Sequence, residues 1–391
     1  MEENKAHYDK QWAQLRLKTI IEQQLINFLS SSNVIPKYGF PVDVVELSIN
    51  SHVPEAKKIQ LERDLRIAIS EFAPSSQVVA KGLIWESAGL RLLKNKAWPL
   101  FWYTECPNCG KFNLQNATIE EKLTEITCIV CKESISRGEI HKFIIPRFGF
   151  VTNRETIPLK PEESRPKREF STRPYFFNYK DPVKTNFSIG KLNILTNYSS
   201  NGELAVICKG KKGKGFYICF NCGSSFRERK SSEHKRPTGE KCSGTIRGPF
   251  HLGHTFTTDV LSILFEKLDL IETAMDDNFW LSLLYAILEG TSQSLGIRRQ
   301  DLDGCLYPFQ NKKALVLFDG VPGGAGHVKR IAEENNLEEI LIATYNRLKS
   351  CQCGLETSCY SCLRNYQNQF CHDKLKRGLV VEFLQKNLSL H

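Results

Sequence analysis

Residues 106–131 read CPNCGKFNLQNATIEEKLTEITCIVC, two Cys-x-x-Cys pairs separated by eighteen residues. Such a turn holds two sulfurs about one tetrahedral edge apart, and a second turn completes a closed four-sulfur shell. Cys106, Cys109, Cys128 and Cys131 are therefore expected to form a zinc ribbon, with Gly110 as a knuckle residue. Working outward, the other cysteines also fall in groups. Cys219, Cys222 and Cys242 flank His234, which suits a Cys3His site, with Cys208, His251 and His254 competing for the fourth position. Cys351, Cys353, Cys359 and Cys362 offer a third quartet, with Cys371 or His372 as substitutes. An iron–sulfur cluster is the chemical rival there, although neither ferredoxin spacing occurs. All three sites look closed to water, so about three structural Zn2+ per chain are expected, none catalytic. Fourteen cysteines in 391 residues point to metal rather than disulfides if the compartment is reducing.

Charge is concentrated near the second group. The chain is +10 overall, and between Cys208 and Phe250 eleven basic residues meet three acidic ones. Lys209, Lys211, Lys212, Lys214, Arg227, Arg229, Lys230, Lys235 and Arg236 are the candidate DNA contacts, since a rigid module loaded with cations can lie on a phosphate backbone. Phe216, Tyr217, Phe220 and Phe226 are interleaved and are candidates to stack on unpaired bases.

With 41% hydrophobic residues the composition is that of a globular protein of two or three domains, which excludes full-length disorder. No run of about 18 apolar residues suits a membrane span, and MEENKAHYDK lacks the apolar core of a secretory signal, so a cytoplasmic location without membrane partners is expected. Helical periodicity covers residues 5–28 and 61–72, and VDVVELSI at 42–49 and VVAKGLIW at 78–85 read as strands. TNRETIPLKPEESRPKREFSTRP, rich in proline and charge, reads as a linker. KLNILTNYSSNGELAVICKG reads as a hairpin around a Ser/Asn/Gly turn. From His254 the expected order is helix TTDVLSILFEKL with Thr257 or Thr258 as cap, helix WLSLLYAILEGTSQSL, strand ALVLF, then helices HVKRIAEE and LEEILIATYNRLK. The fold class expected is α+β and multi-domain: a mixed region over 1–104, a zinc ribbon over 105–150, a linker and hairpin over 151–204, a basic zinc module over 205–253, and an α/β domain with the third zinc site over 254–391.

After ALVLF comes DGVPGGAGH at 319–327, whose backbone N–H groups could hold an anion at a helix start. It is not a P-loop, and no P-loop or DEAD/DEAH box occurs in these residues. His327-Val328-Lys329 with Glu334 faintly resembles the signature of phospholipase-D-like phosphodiesterases, so a nuclease is one rival reading; tight strand–helix packing explains the glycines better.

LGHTFTTDVLSI, LLYAILEGTSQSLGIRRQDLDG, LVLFDGVPGGAGHVKRI and CQCGLETSCYSCLRNYQNQFCHDKLKRG together resemble the C-terminal region of superfamily 2 helicases related to mitomycin repair factor A, with its zinc-binding domain. The resemblance extends from about Val34 to Gly378. It implies a DNA-associated role in repair or anti-phage defence, with Cys351, Cys353, Cys359 and Cys362 as the family's zinc ligands. The departure is the absence of both motor lobes from these residues, so helicase activity is not carried over. The expectation is a zinc-bearing accessory module that binds DNA and a helicase motor; a scaffold that never touches DNA is the other rival.

Overall fold

The computed structural model describes residues 43–154, 157–158, 169–230, 233–266, 277–309, 312–333 and 335–388. The helix expected over 5–28, Glu334 and much of the expected linker lie outside them.

Two very long antiparallel strands, Leu192–Cys208 and Ile246–Phe265, form the spine. They stay in register from Ile194 opposite Phe265 to Cys208 opposite Leu252, apart from an irregularity between Ser199 and Gly202. At that point a Cβ on Gly202 would lie 2.1 Å from a methyl of Val260, so the close strand approach needs glycine. Each long strand takes two successive neighbours on its outer edge. Leu192–Cys208 pairs first with Val183–Ile189, then with Arg173–Tyr179. Ile246–Phe265 pairs first with His141–Ile144, in parallel, then with Lys312–Asp319.

Each end of the spine feeds a different core. Leu204, Ile207, Leu252 and Phe256 pack with Phe143, Phe176 and Phe216 in the first. Ile194, Leu261, Ile263 and Phe265 pack under helices in the second. Those helices are α2 (Asp277–Leu295), α4 (Asn336–Ser350) and α5 (Arg377–Leu388), with the short α3 (His327–Ile331) beside them. Helices α2 and α4 cross at Gly290, where a Cβ would lie 2.0 Å from the Thr344 hydroxyl. A smaller six-stranded sheet contains Val44–Ser48, Leu83–Leu90 and Phe150–Thr152, and α1 (Leu65–Glu71) joins it to the first core. Asp64 caps α1 by accepting the Arg66 N–H at 2.9 Å.

The α+β class, the strand at 44–48, helices α2 and α4 and the strand at 312–319 match expectation. Several elements differ. TTDVLSILF is strand, not helix, because residues 258–265 are buried on both faces and so show no period-two alternation to distinguish them. Thr258 consequently caps no helix; its hydroxyl donates to the Asp319 and Val321 carbonyls. The expected hairpin at 191–210 is one continuous strand, its Ser/Asn/Gly segment absorbed as the irregularity. That strand's hairpin lies just upstream instead, Val183–Ile189 pairing back from Ile189 opposite Leu192, while VVAKGLIW, expected as one strand, is itself a hairpin of Gln77–Ala80 with Leu83–Leu90 turned by Lys81 and Gly82 at φ 53° and 73°. The boundary at 253/254 falls inside a strand. No helix among the described residues is long and apolar enough to cross a membrane.

Candidate metal centres and their surroundings

Three Cys-x-x-Cys turns share one backbone pattern. The first cysteine's carbonyl accepts the N–H four residues on, from Gly110 at 2.8 Å, Lys132 at 3.0 Å and Gly223 at 2.8 Å. The same cysteine's N–H donates five residues on, to Lys111, Glu133 and Ser224. The position after each pair is left-handed, with φ of 77° at Gly110, 61° at Lys132 and 80° at Gly223. Two such turns face each other in the first site. One turn faces His234 and Cys242, on paired two-residue strands, in the second.

The predicted quartets are brought together. In each of Cys106/Cys109/Cys128/Cys131, Cys219/Cys222/His234/Cys242 and Cys351/Cys353/Cys359/Cys362, the four donor atoms lie within 4.8 Å of one another. A tetrahedral ion with metal–sulfur bonds of about 2.3 Å requires sulfurs about 3.8 Å apart. The observed separations are 3.5 Å for Cys106–Cys131, 3.6 Å for Cys109–Cys128, 3.9 Å for Cys219–Cys242, and 3.5 to 3.8 Å in the third group. His234 presents Nε2 to Cys222 Sγ at 3.2 Å. These donor sets fit a single tetrahedral ion. They leave no room for a polynuclear iron–sulfur cluster, whose cysteines bind separate irons.

Backbone dipoles favour thiolate at one cysteine of each site. Burial raises Cys128 and Cys359, but the amides of Cys131 and Val130 at the one, and of Ser361 at the other, together with hydrogen bonds from the neighbouring cysteines of each site, outweigh it and bring them to about 7 and about 6. At Cys242 burial is likewise overcome by the Gly244 N–H, 3.4 Å from Sγ, together with hydrogen bonds from Cys222 and Cys219 and the charge of Arg236, and the thiol is lowered.

The competing ligands are placed elsewhere. Cys208 is buried in the first core. His251 Nδ1 meets the Tyr103 hydroxyl at 2.6 Å and its Nε2 meets the Gly213 carbonyl at 3.2 Å; burial pushes it down to about 4. His254 stacks on Phe256. Cys371 and His372 bond to Asn368, away from the third quartet.

The basic residues divide. Lys209 is tied to Glu105 at 2.6 Å, and Arg227 and Lys211 converge on Glu169. Lys212, Lys214, Arg229, Lys230, Lys235 and Arg236 are exposed. Lys230, Lys235 and Arg236 share a groove of about 440 Å³ with Arg154. Sequence reading missed Arg154 because it lies in the stretch taken as linker; its guanidinium donates to the Thr238 carbonyl at 3.1 Å, which attaches it to the second module. Of the interleaved aromatics only Phe216 is fully buried; Phe220 is half-buried against Trp98 and Phe250, and Tyr217 and Phe226 are half-buried against the second metal site.

The glycine-rich loop does not form an open anion cradle. Asp319 carboxylate oxygens accept the N–H groups of Ala325 at 2.6 Å, His327 at 3.1 Å and Val328 at 3.0 Å, and Asp259 accepts that of Gly326 at 3.0 Å. A Cβ on Gly324 would meet the Asp259 carboxylate at 2.4 Å. The glycines thus let the loop wrap two buried carboxylates, and the chain's own anion fills the place of a phosphate.

Against known proteins, residues 283–363 match the family described as "MrfA Zn-binding domain". That span contains the third quartet and none of the other eight ligand candidates. The chain is 27% identical over 417 aligned positions to "Druantia protein DruE" of Escherichia coli (strain UMEA 4076-1), covering 93% of this chain and 22% of that protein. It also aligns with the "DUF1998 helicase MrfA bound to DNA" at 12% identity and a TM-score of 0.37, covering 87% of this chain and 34% of the other. The chain thus spans well under half the length of these relatives, and residues 283–363 are an MrfA-like zinc-binding region.

Proposed function

We propose that this chain is a three-zinc, DNA-associated accessory module that works with a superfamily 2 helicase motor in DNA repair or anti-phage defence, in the cytoplasm. The observation that carries it is the exposed groove built directly on the second metal module, in which Arg154, Lys230, Lys235 and Arg236 outnumber Glu86 and Glu233. Metal in the first two sites would be held by Cys106, Cys109, Cys128 and Cys131, and by Cys219, Cys222, His234 and Cys242. The third would be held by Cys351, Cys353, Cys359 and Cys362. Zinc supplies rigidity: closed four-ligand shells have no vacant position for substrate water. What the chain's own residues do is hold a row of cations at fixed spacing for phosphates. These residues contain no P-loop, so ATP-driven work is assigned to the motor.

A salt titration tests this reading. On duplex DNA, log affinity should fall by roughly 0.9 per log unit of salt for each phosphate neutralised, and reversing Lys230, Lys235 and Arg236 to Glu should flatten the slope. A weak curve that is flat in the wild type would instead favour a scaffold that contacts only the motor.

A further inference from the structure

The segment following the third quartet turns the usual partition of side chains inside out. Asn368 is fully buried, donating to the Leu363 carbonyl at 2.8 Å and accepting the Asn365 N–H at 2.8 Å. Asn365 Oδ1 in turn accepts the N–H groups of Gln367 at 2.9 Å and Asn368 at 3.0 Å, and His372 Nε2 reaches Asn368 Oδ1 at 2.8 Å. This network fixes the loop while leaving Tyr366 57% and Phe370 39% exposed. Aromatic side chains held out on a pre-organised loop are contact surface rather than core.

Both rings line a cleft of about 660 Å³, a volume in the range of small-ligand sites. Phe170 and Ile67 line it as well, and Ile67 is 42% exposed. Tyr285, Asp301 and Asp303 contribute polar groups, together with the amides of Gln300, Gln367 and Gln369. Glu169 belongs to the same lining, and it is the residue on which Lys211 and Arg227 converge. The cleft therefore adjoins the basic segment.

We propose that the cleft receives one or two unpaired bases of a single-stranded nucleic acid, stacked on Tyr366 and Phe370, while the strand's phosphates lie on the basic segment. This rests on the DNA-associated reading above and specifies the strand form. The charge pattern assigns the base, not the phosphate, to the cleft. Asp301 and Asp303 repel phosphate but accept from base amino groups, and Gln side chains match the paired donor and acceptor of an adenine edge. Arg66, the cation in the lining, is already matched by Asp64 at 3.3 Å. A duplex keeps its bases stacked and paired, so only an unpaired base can enter.

The test uses the full chain, a labelled mixed-sequence single strand, the same sequence as duplex, and a strand carrying 2-aminopurine. Wild-type protein should quench 2-aminopurine on binding. Tyr366→Ala and Phe370→Ala should each weaken single-strand binding roughly tenfold while duplex affinity, metal content and thermal melting stay unchanged. Absence of quenching with the wild type overturns the proposal whatever the variants do. Wild-type strand affinity in the double variant also overturns it, and if that variant loses capture of a purified helicase motor instead, the cleft is a protein-docking site. A wild type that binds neither nucleic acid defeats the DNA-associated reading itself, whereas binding of both forms with indifference to the two rings defeats only the cleft assignment.

Discussion

The first two metal centres and the third are built from the same donors on opposite kinds of support. Around the first, the buried apolar residues number only four besides its cysteines: Trp102, Ile126, Ile135 and Ile140. Around the second, Ile246 is the buried apolar residue. Satellites this small have too little apolar area to offset the entropy of ordering their loops, so the ion must hold them. The third quartet is anchored differently. Cys362 is buried in the second core among Leu348, Leu363, Val380 and Leu384, and Arg377 ties the Cys353 and Leu348 carbonyls to α5. Here packing supports the site, and the metal tightens a loop on a frame that stands without it. Bound metal is therefore expected to fold one region and trim the other.

The largest expected effect tests that difference directly. In Cys128→Ser, the first satellite should lose its metal and unfold locally, zinc-finger peptides placing such binding at about 10–16 kcal/mol. Hydrogen exchange should lose protection over 123–140 while α2 and α4 keep theirs, and metal analysis should fall by one ion per chain. Cys353→Ser should lose one ion without loss of protection in α4. Equal unfolding in both variants would break the comparison.

Packing should dominate at the third site. Gly290→Ala forces a methyl against Thr344 and is expected to cost about 1–3 kcal/mol in chemical unfolding, loosening α2 from α4 and with it the third site's metal grip. The first two sites should keep their chelator resistance.

The β-rich side carries its own pH dependence. Burial holds His251 neutral, with a pKa lowered to about 4 from an unfolded value near 6.5. Because the unfolded chain binds the proton first, this contribution is complete above about pH 6.5 and is lost as the pH falls toward 4, amounting to at most about 3 kcal/mol. His251→Phe should flatten stability across that window, as read by denaturant melts at several pH values.

The smallest effect sharpens the knuckle argument. Lys132 occupies the left-handed position that glycine fills at Gly110 and Gly223. Lys132→Gly should relieve strain and stabilise the first site by under about 1 kcal/mol, slowing metal loss to a chelator.

Much of this was legible from spacing. The quartets were visible because a tetrahedral shell constrains cysteines to short sequence intervals, α4 because it buries one helical face, and α2 because its apolar run, buried all round over 282–291, is too long for a strand. The long strand at 246–265 was not, since burial on both faces erases the alternation that marks a strand. Nor was the burial of Lys111, whose ammonium donates to the Phe177 carbonyl at 2.6 Å and the Tyr307 hydroxyl at 2.8 Å. Long-range partners decide such residues, and no local pattern carries them. The same holds for Arg154, and for the cleft, which gathers residues from 66 to 370.

Duplex binding by two single-ligand variants tests the central claim most directly, that metal in the second module presents the cationic groove to DNA. Cys242→Ser should weaken duplex affinity at fixed salt by at least tenfold, while Cys353→Ser should bind as the wild type does. Undiminished binding by Cys242→Ser, with loss of its metal verified, would contradict the account.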